Sequence, residues 1–126
     1  MDLQNERSVL IVDDSRLNRL VIAEYFKAKD FIIHEVEDGK EALDFLHDKK
    51  VDLILLDLIM PVMDGFEVLE ALKTQNNTIP IIVITAYLKD NTLQRCKDLG
   101  CRGFLNKPIK MLELFSMISG IFDSQN

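Results

Sequence analysis

Leu53-Ile54-Leu55-Leu56-Asp57 is a run of four aliphatic residues that stops on an acid. Apolar positions without alternation describe a strand covered on both faces, as in a parallel sheet sandwiched by helices. The design recurs along the chain. Val9-Leu10-Ile11-Val12 runs into Asp13-Asp14, Ile81-Ile82-Val83-Ile84 runs into Thr85, and Gly103-Phe104-Leu105 leads to Lys107-Pro108. Phe31 to Val36 is also rich in β-formers. Helical patterns fill the intervals: Ser15 to about Lys29, Gly39 to Asp48, a segment opened by Asp64-Gly65-Phe66-Glu67, Lys89 to Leu99, and a last one to about Phe122. Asp14 or Ser15 suits the first N-cap. Asp64 and Glu67 have the spacing of a capping box, and Gly100 suits a left-handed stop. Five β-then-α units predict an α/β fold, a doubly wound five-stranded parallel sheet with five helices. One domain is expected over residues 1–126, with a core of about 8–122.

Composition narrows the function classes. The chain has 126 residues, 48% of them hydrophobic, which suffices for a core. Fifteen basic residues stand against 21 acidic ones, a net charge of −6. That balance argues against nucleic acid as a partner, since a phosphate backbone calls for a basic face. No apolar run approaches the ~20 residues of a membrane span, and Met1 to Ser8 has no apolar signal core, so a soluble, cytoplasmic protein without membrane partners is expected. Cys96 and Cys101 read as reduced thiols, with nothing nearby to suggest a disulfide scaffold or zinc site.

The chemistry gathers at one edge. Parallel strands point the same way, so residues just past their carboxyl ends share a rim, and ligands of open α/β sheets bind there. In a flavodoxin-like order 2-1-3-4-5, the first and third strands are neighbours where the order reverses. Asp13, Asp14 and Asp57 then sit side by side, with Thr85 and Lys107 beyond the fourth and fifth strands. Three crowded carboxylates need neutralising, and a hard dication with oxygen ligands fits, Mg²⁺ above all. An aspartate can act as a nucleophile toward phosphorus, while a lysine and a hydroxyl hold phosphoryl oxygens.

The stretches Leu10-Ile11-Val12-Asp13-Asp14-Ser15, Leu55-Leu56-Asp57-Leu58-Ile59-Met60-Pro61-Val62-Met63-Asp64-Gly65, Ile84-Thr85-Ala86 and Phe104-Leu105-Asn106-Lys107-Pro108 together resemble the receiver domain of two-component response regulators. The resemblance covers essentially the whole chain. It implies that Asp57 is the phosphoacceptor and that Asp13, Asp14, Asp57 and the backbone carbonyl of Ile59 hold Mg²⁺. It also implies Thr85 and Phe104 as the switch pair, Lys107 as the closing cation, and a cis bond between Lys107 and Pro108. The donor would be a histidine kinase or a histidine-phosphotransfer protein. The chain would assist its own phosphorylation and dephosphorylation without being an enzyme in the ordinary sense. Its output would be the surface of the fourth helix, fifth strand and fifth helix. Ile59 and Tyr87 would tune the lifetime of the modified state; both are bulky and Ile59 is apolar, so slow loss of phosphate is expected.

Two surfaces and two rival readings complete the expectations. The apolar stripe of the first helix centres on Val21, Tyr25 and Ile22, leaving Leu20 off the stripe as a docking point for the phosphodonor. The last helix carries Met111, Leu112, Leu114, Phe115, Met117, Ile118, Ile121 and Phe122, which predicts an exposed apolar patch for a homodimer or effector. His34 and His47 are expected to be solvated or locally bonded, and the methionines to fill gaps. A phosphohydrolase of the haloacid dehalogenase kind would want a second acid two residues past Asp57, and Ile59 stands there. A docking module that is never phosphorylated would have no chemical use for three adjacent acids. Only Asp123-Ser124-Gln125-Asn126 follows Phe122, so a stand-alone receiver or one excised from a longer protein is expected.

Overall fold

The structure, a computed structural model, describes residues 6–86 and 88–124. Five strands alternate with five helices: β1 (Ser8–Val12), α1 (Arg16–Lys27), β2 (Ile32–Val36), α2 (Gly39–Asp48), β3 (Leu53–Leu56), α3 (Gly65–Thr74), β4 (Ile81–Thr85), α4 (Asp90–Asp98), β5 (Gly103–Asn106) and α5 (Met111–Asp123). All pairings are parallel and the sheet order is β2-β1-β3-β4-β5, as the sequence predicts. The fold is the flavodoxin-like doubly wound sheet.

Side-chain alternation divides the core in two. Val9, Ile11, Leu53, Leu55, Ile82, Ile84 and Leu105 face α1 and α5, where they meet Phe26, Leu114 and Ile118. Leu10, Val12, Ile54, Leu56, Ile81 and Val83 face the opposite way, onto Ala42, Val68, Leu69 and Cys96. Both faces being apolar, the central strands read as unbroken runs. Edge strand β2 does not, and its Ile32 is exposed.

The helix ends follow local chemistry. Ser15, not Asp14, caps α1, its hydroxyl accepting from the Asn18 N–H. Asp64 and Glu67 form the expected capping box. Beyond α4, Gly100 lies at φ +92°, with its N–H on the Lys97 carbonyl and the Cys101 N–H on the Cys96 carbonyl. This left-handed stop closes the helix in a Schellman motif, which brings the residues at its two ends together. Here those residues are both cysteines, and their thiols are hydrogen-bonded. Sequence gave no sign of that contact.

Two surface expectations need correcting. On α1 the buried residues are Arg19, Ile22, Ala23 and Phe26, whereas Val21 is exposed along with Leu17 and Leu20. A stripe traced through apolar residues passes over Arg19, which is buried by its ion pairs and rotates the inner face away from Val21. On α5 no broad apolar patch exists. Phe115 packs its ring against Tyr25, Phe26 and Phe31, Phe122 stacks on Phe31, and Met117 lies under Gly103. Only Leu112, 80% exposed, remains from the predicted patch.

Candidate functional site

β1 and β3 are adjacent, with Val12 in register with Leu56, so the residues that follow them emerge together. The Asp57 N–H donates to the Val12 carbonyl at 2.9 Å. One carboxylate oxygen from each of Asp13, Asp14 and Asp57 lies within 4.8 Å of the others. Asp13 and Asp57 are buried and Asp14 is exposed, which leaves the cluster open on one side.

Lys107 closes the cluster from two strands away. Its backbone N–H donates to the Thr85 carbonyl at 2.8 Å, fixing the end of β5 against the end of β4. Its side chain reaches across to Asp57 Oδ2 at 2.9 Å and Asp13 Oδ2 at 3.0 Å. The expected cis bond between Lys107 and Pro108 is present. The other oxygens are also held: Asp57 Oδ1 accepts from the Ile59 N–H at 3.2 Å, and Asp13 Oδ1 from the Ser15 N–H at 2.8 Å.

Burial dominates the electrostatics of Asp57. Desolvation raises its carboxyl above the ordinary range, the Asp13 charge adds to that, and hydrogen bonds from Lys107 and Ile59 offset it only in part. Burial alone would lower Lys107, but the two carboxylates it bridges hold it above its usual value. The lysine therefore stays charged. A single monovalent cation against three acids leaves an excess of negative charge, all of it on hard oxygens with room on the Asp14 side. That donor set suits a small oxygen-seeking dication such as Mg²⁺, which accepts few carboxylates and keeps waters.

The remaining predicted residues surround this centre. Thr85 is fully buried and lines a cavity of about 310 Å³ with Leu58, Ile59, Met60, Asp64, Phe66 and Thr92. Ile59 is exposed at the mouth of the cluster. Phe104 is half-buried, packed against the core under α2, α3 and α4, and it lines a groove of about 350 Å³ with Leu88, Asn106 and Lys107. The β4–β5 register sets Val83 beside Phe104 and Thr85 beside Asn106, so Thr85 and Phe104 share one face of the sheet. Tyr87 lies outside the described residues. His47 bonds its neighbour Asp48, and His34 rests on the Phe45 ring; among the described residues neither joins the site.

Two residues with no assigned role belong to its frame. Asn106 Oδ1 accepts from the Leu88 N–H at 3.2 Å, tying the loop after β4 to the end of β5. Arg19 donates from Nη1 to the Asp13 carbonyl at 2.7 Å. A charged residue within an apolar helix pattern was the available signal for Arg19.

A doubly wound sheet with an acidic, lysine-bridged carboxyl rim defines an α/β domain whose ligand chemistry sits at the switch point of the strand order. The chain belongs to the response regulator receiver domain family, which its residues 9–119 match. It is 34% identical over 112 residues to Sporulation initiation phosphotransferase F of Bacillus subtilis, covering 89% of this chain and 90% of that one. It is 32% identical to Response regulator protein VraR of Staphylococcus saprophyticus, covering 94% of this chain but 57% of that protein. The chain thus spans little more than half of that relative, and only 7% of Hybrid signal transduction histidine kinase E of Dictyostelium discoideum, with which it is 36% identical. Among solved structures, the receiver domain of the Francisella response regulator 1452 superposes with a TM-score of 0.88 at 28% identity, covering 96% of this chain and 100% of that one. This is a receiver domain of the two-component and phosphorelay kind. Among the described residues, no helix is long and apolar enough to cross a membrane.

Proposed function

We propose that residues 1–126 act as one cytoplasmic phosphoacceptor domain, in which Asp57 takes a phosphoryl group from a histidine kinase or histidine-phosphotransfer protein with the help of Mg²⁺. The observation that carries this reading is the bridge from Lys107 Nζ to Asp57 and Asp13 within the three-acid cluster. Asp13, Asp14, Asp57 and the carbonyl of Ile59 would hold the ion, which when bound supplies charge neutralisation for an incoming phosphate. Asp57 is the nucleophile, its ionised form favoured by Lys107 and the Ile59 N–H against the opposing burial. As the phosphoryl group arrives, Lys107 exchanges carboxylate partners for phosphoryl oxygens, one cation serving both states. Positioning and charge carry the reaction, and no proton donor is required beside Asp57.

An acyl phosphate brings roughly two negative charges to this spot. Thr85 then turns its hydroxyl toward the new oxygens, and Phe104, on the same face of the sheet, follows into the space released. The groove of Leu88, Phe104, Asn106 and Lys107 changes shape with it, which makes the α4-β5-α5 surface the readout. Leu17, Leu20 and Val21, exposed together on α1 near the rim, form the docking face for the donor. Relatives that include a phosphotransferase and a hybrid kinase agree with such partners.

Intact mass after treatment with a small acyl-phosphate donor and Mg²⁺ tests the reading. Parent protein should gain one phosphoryl group, and Asp57→Asn none. Equal labelling of the two refutes Asp57 as the acceptor, and labelling of neither refutes the reading and favours an unmodified docking module.

A further inference from the structure

The proposed acceptor reaction needs Asp13 in one place, and the cation that fixes it lies outside the acidic cluster. Arg19 sits one turn into α1 with only 7% of its surface exposed. Each nitrogen of its guanidinium has its own partner. Nη1 donates to the Asp13 carbonyl at 2.7 Å, Nε meets Glu35 Oε1 at 3.2 Å, and Nη2 faces Glu37 Oε1 at 3.7 Å. The Asp13 N–H donates to the Val36 carbonyl, between those two glutamates, at 3.3 Å. Asp13 is therefore gripped on both sides of its main chain by the end of β2, directly through Val36 and through the arginine fork.

We infer that Arg19 is a positioning residue for metal binding, holding the Asp13 backbone so that its carboxylate is presented to Mg²⁺ beside Asp14 and Asp57. The inference rests on the reading of the rim as a Mg²⁺ site. A buried guanidinium is costly unless fully paired, and a planar fork serves three separate acceptors in fixed geometry as an ammonium cannot. Charge alone predicts the opposite effect, because a cation close to a dication site repels the incoming ion. The sign of the change on mutation therefore separates position from charge.

The test is a Mg²⁺ titration of the full chain, followed by amide NMR shifts around Asp14 and Ser15, with thermal unfolding measured in parallel. Arg19→Lys keeps the charge and loses the fork; Arg19→Gln loses both. Both should bind Mg²⁺ about ten-fold or more weakly, the scale seen when a group supporting a metal ligand is removed. Dissociation constants equal to the parent's, with only the melting temperature lowered, would show a merely structural role and overturn the inference. Tighter binding by Arg19→Gln would show that charge governs and overturn it equally. A parent that ignores Mg²⁺ refutes the reading of the site and this inference together. If the arginine variants do not fold, Glu35→Ala removes the Nε anchor from a more exposed position. At about 1 M salt, where screening acts within about 3 Å, its weaker binding should persist if position matters and vanish if charge does.

Discussion

Gly65→Ala would strain the site without touching any charged group. Gly65 opens α3 directly beneath the acceptor loop, and its N–H donates to the Leu58 carbonyl at 2.9 Å. A Cβ there would lie 2.5 Å from the Asp57 carbonyl oxygen and 2.6 Å from Leu58 Cα. Ordinary contact begins at 3.4 Å, so the backbone must retreat by 0.9 Å, the difference from the shorter distance. Neither neighbour is a flexible side-chain end that can swing away. Overpacking of this kind costs about 1–3 kcal/mol, and a stretched N–H···O bond adds about 1 kcal/mol. For a domain of this size the melting temperature should fall by roughly 10 °C. Displacing the acceptor by nearly an ångström should slow phosphoryl uptake by about 10²-fold. Gly120→Ala is the control: nothing lies within 4 Å of its Cβ position on α5. Replacing a helical glycine there should stabilise by about 0.5–1 kcal/mol and leave uptake unchanged. Circular-dichroism melts and the time course of mass increase read both quantities. A Gly65→Ala protein that melts within about 2 °C of parent, on a scale where 1 kcal/mol is several degrees, and accepts phosphate at the parental rate refutes the reasoning.

Four further outcomes are expected. The folded-state value of Asp57 is raised above 3.8, so metal-free parent loses stability as pH climbs from that value through the raised one. Asp57→Asn should therefore gain on parent across this window in melts at a series of pH values, and a difference independent of pH would contradict the sign. Lys107, also raised, contributes stability that is complete below 10.5 and lost above its folded value, so the disadvantage of Lys107→Met should shrink in strong alkali. Burial pushes the Cys101 thiol up to about 12 and raises Cys96 too; at about pH 8 a disulfide reagent should label native protein roughly 10²–10³-fold more slowly than unfolded protein. Equal rates would mean that the thiol pair opens freely. Ile59→Asn places a hydrogen-bonding side chain at the exposed mouth of the cluster and should speed loss of the phosphoryl group by about ten-fold. A lifetime unchanged by ³¹P NMR would remove Ile59 from that role.

Strand identity, order and the convergence of the rim were legible because each rests on local pattern plus one topological rule. Apolar runs such as Leu53 to Leu56 mark strands, and the first residue past each strand lands on the rim whatever the details of packing. What failed depended on contacts remote in sequence. The inner face of α1 was misplaced because Arg19 is buried by Glu35, Glu37 and a carbonyl, none visible from helical periodicity. The surplus apolar residues of α5 were absorbed by an aromatic group that gathers Tyr25 and Phe26 from α1 and Phe31 from just before β2. Gly100 announced the end of α4, yet the meeting of the two thiols follows from the Schellman geometry and not from their spacing alone.

The position of β1 inside the sheet, with a neighbour on each edge, has a consequence for biosynthesis. Ser8 pairs with Ile32 and Val9 with Leu53, so the first strand of this domain to leave the ribosome waits for two later ones before both of its edges are satisfied. Pairings so distant along the chain form slowly and leave sticky, unmatched edges in the interim. Lys107 arrives after all five strands, just past the one that finishes the opposite margin. A polypeptide cut short before Lys107 cannot assemble the lysine bridge, so competence to receive a signal reports that the sheet has been made through its fifth strand.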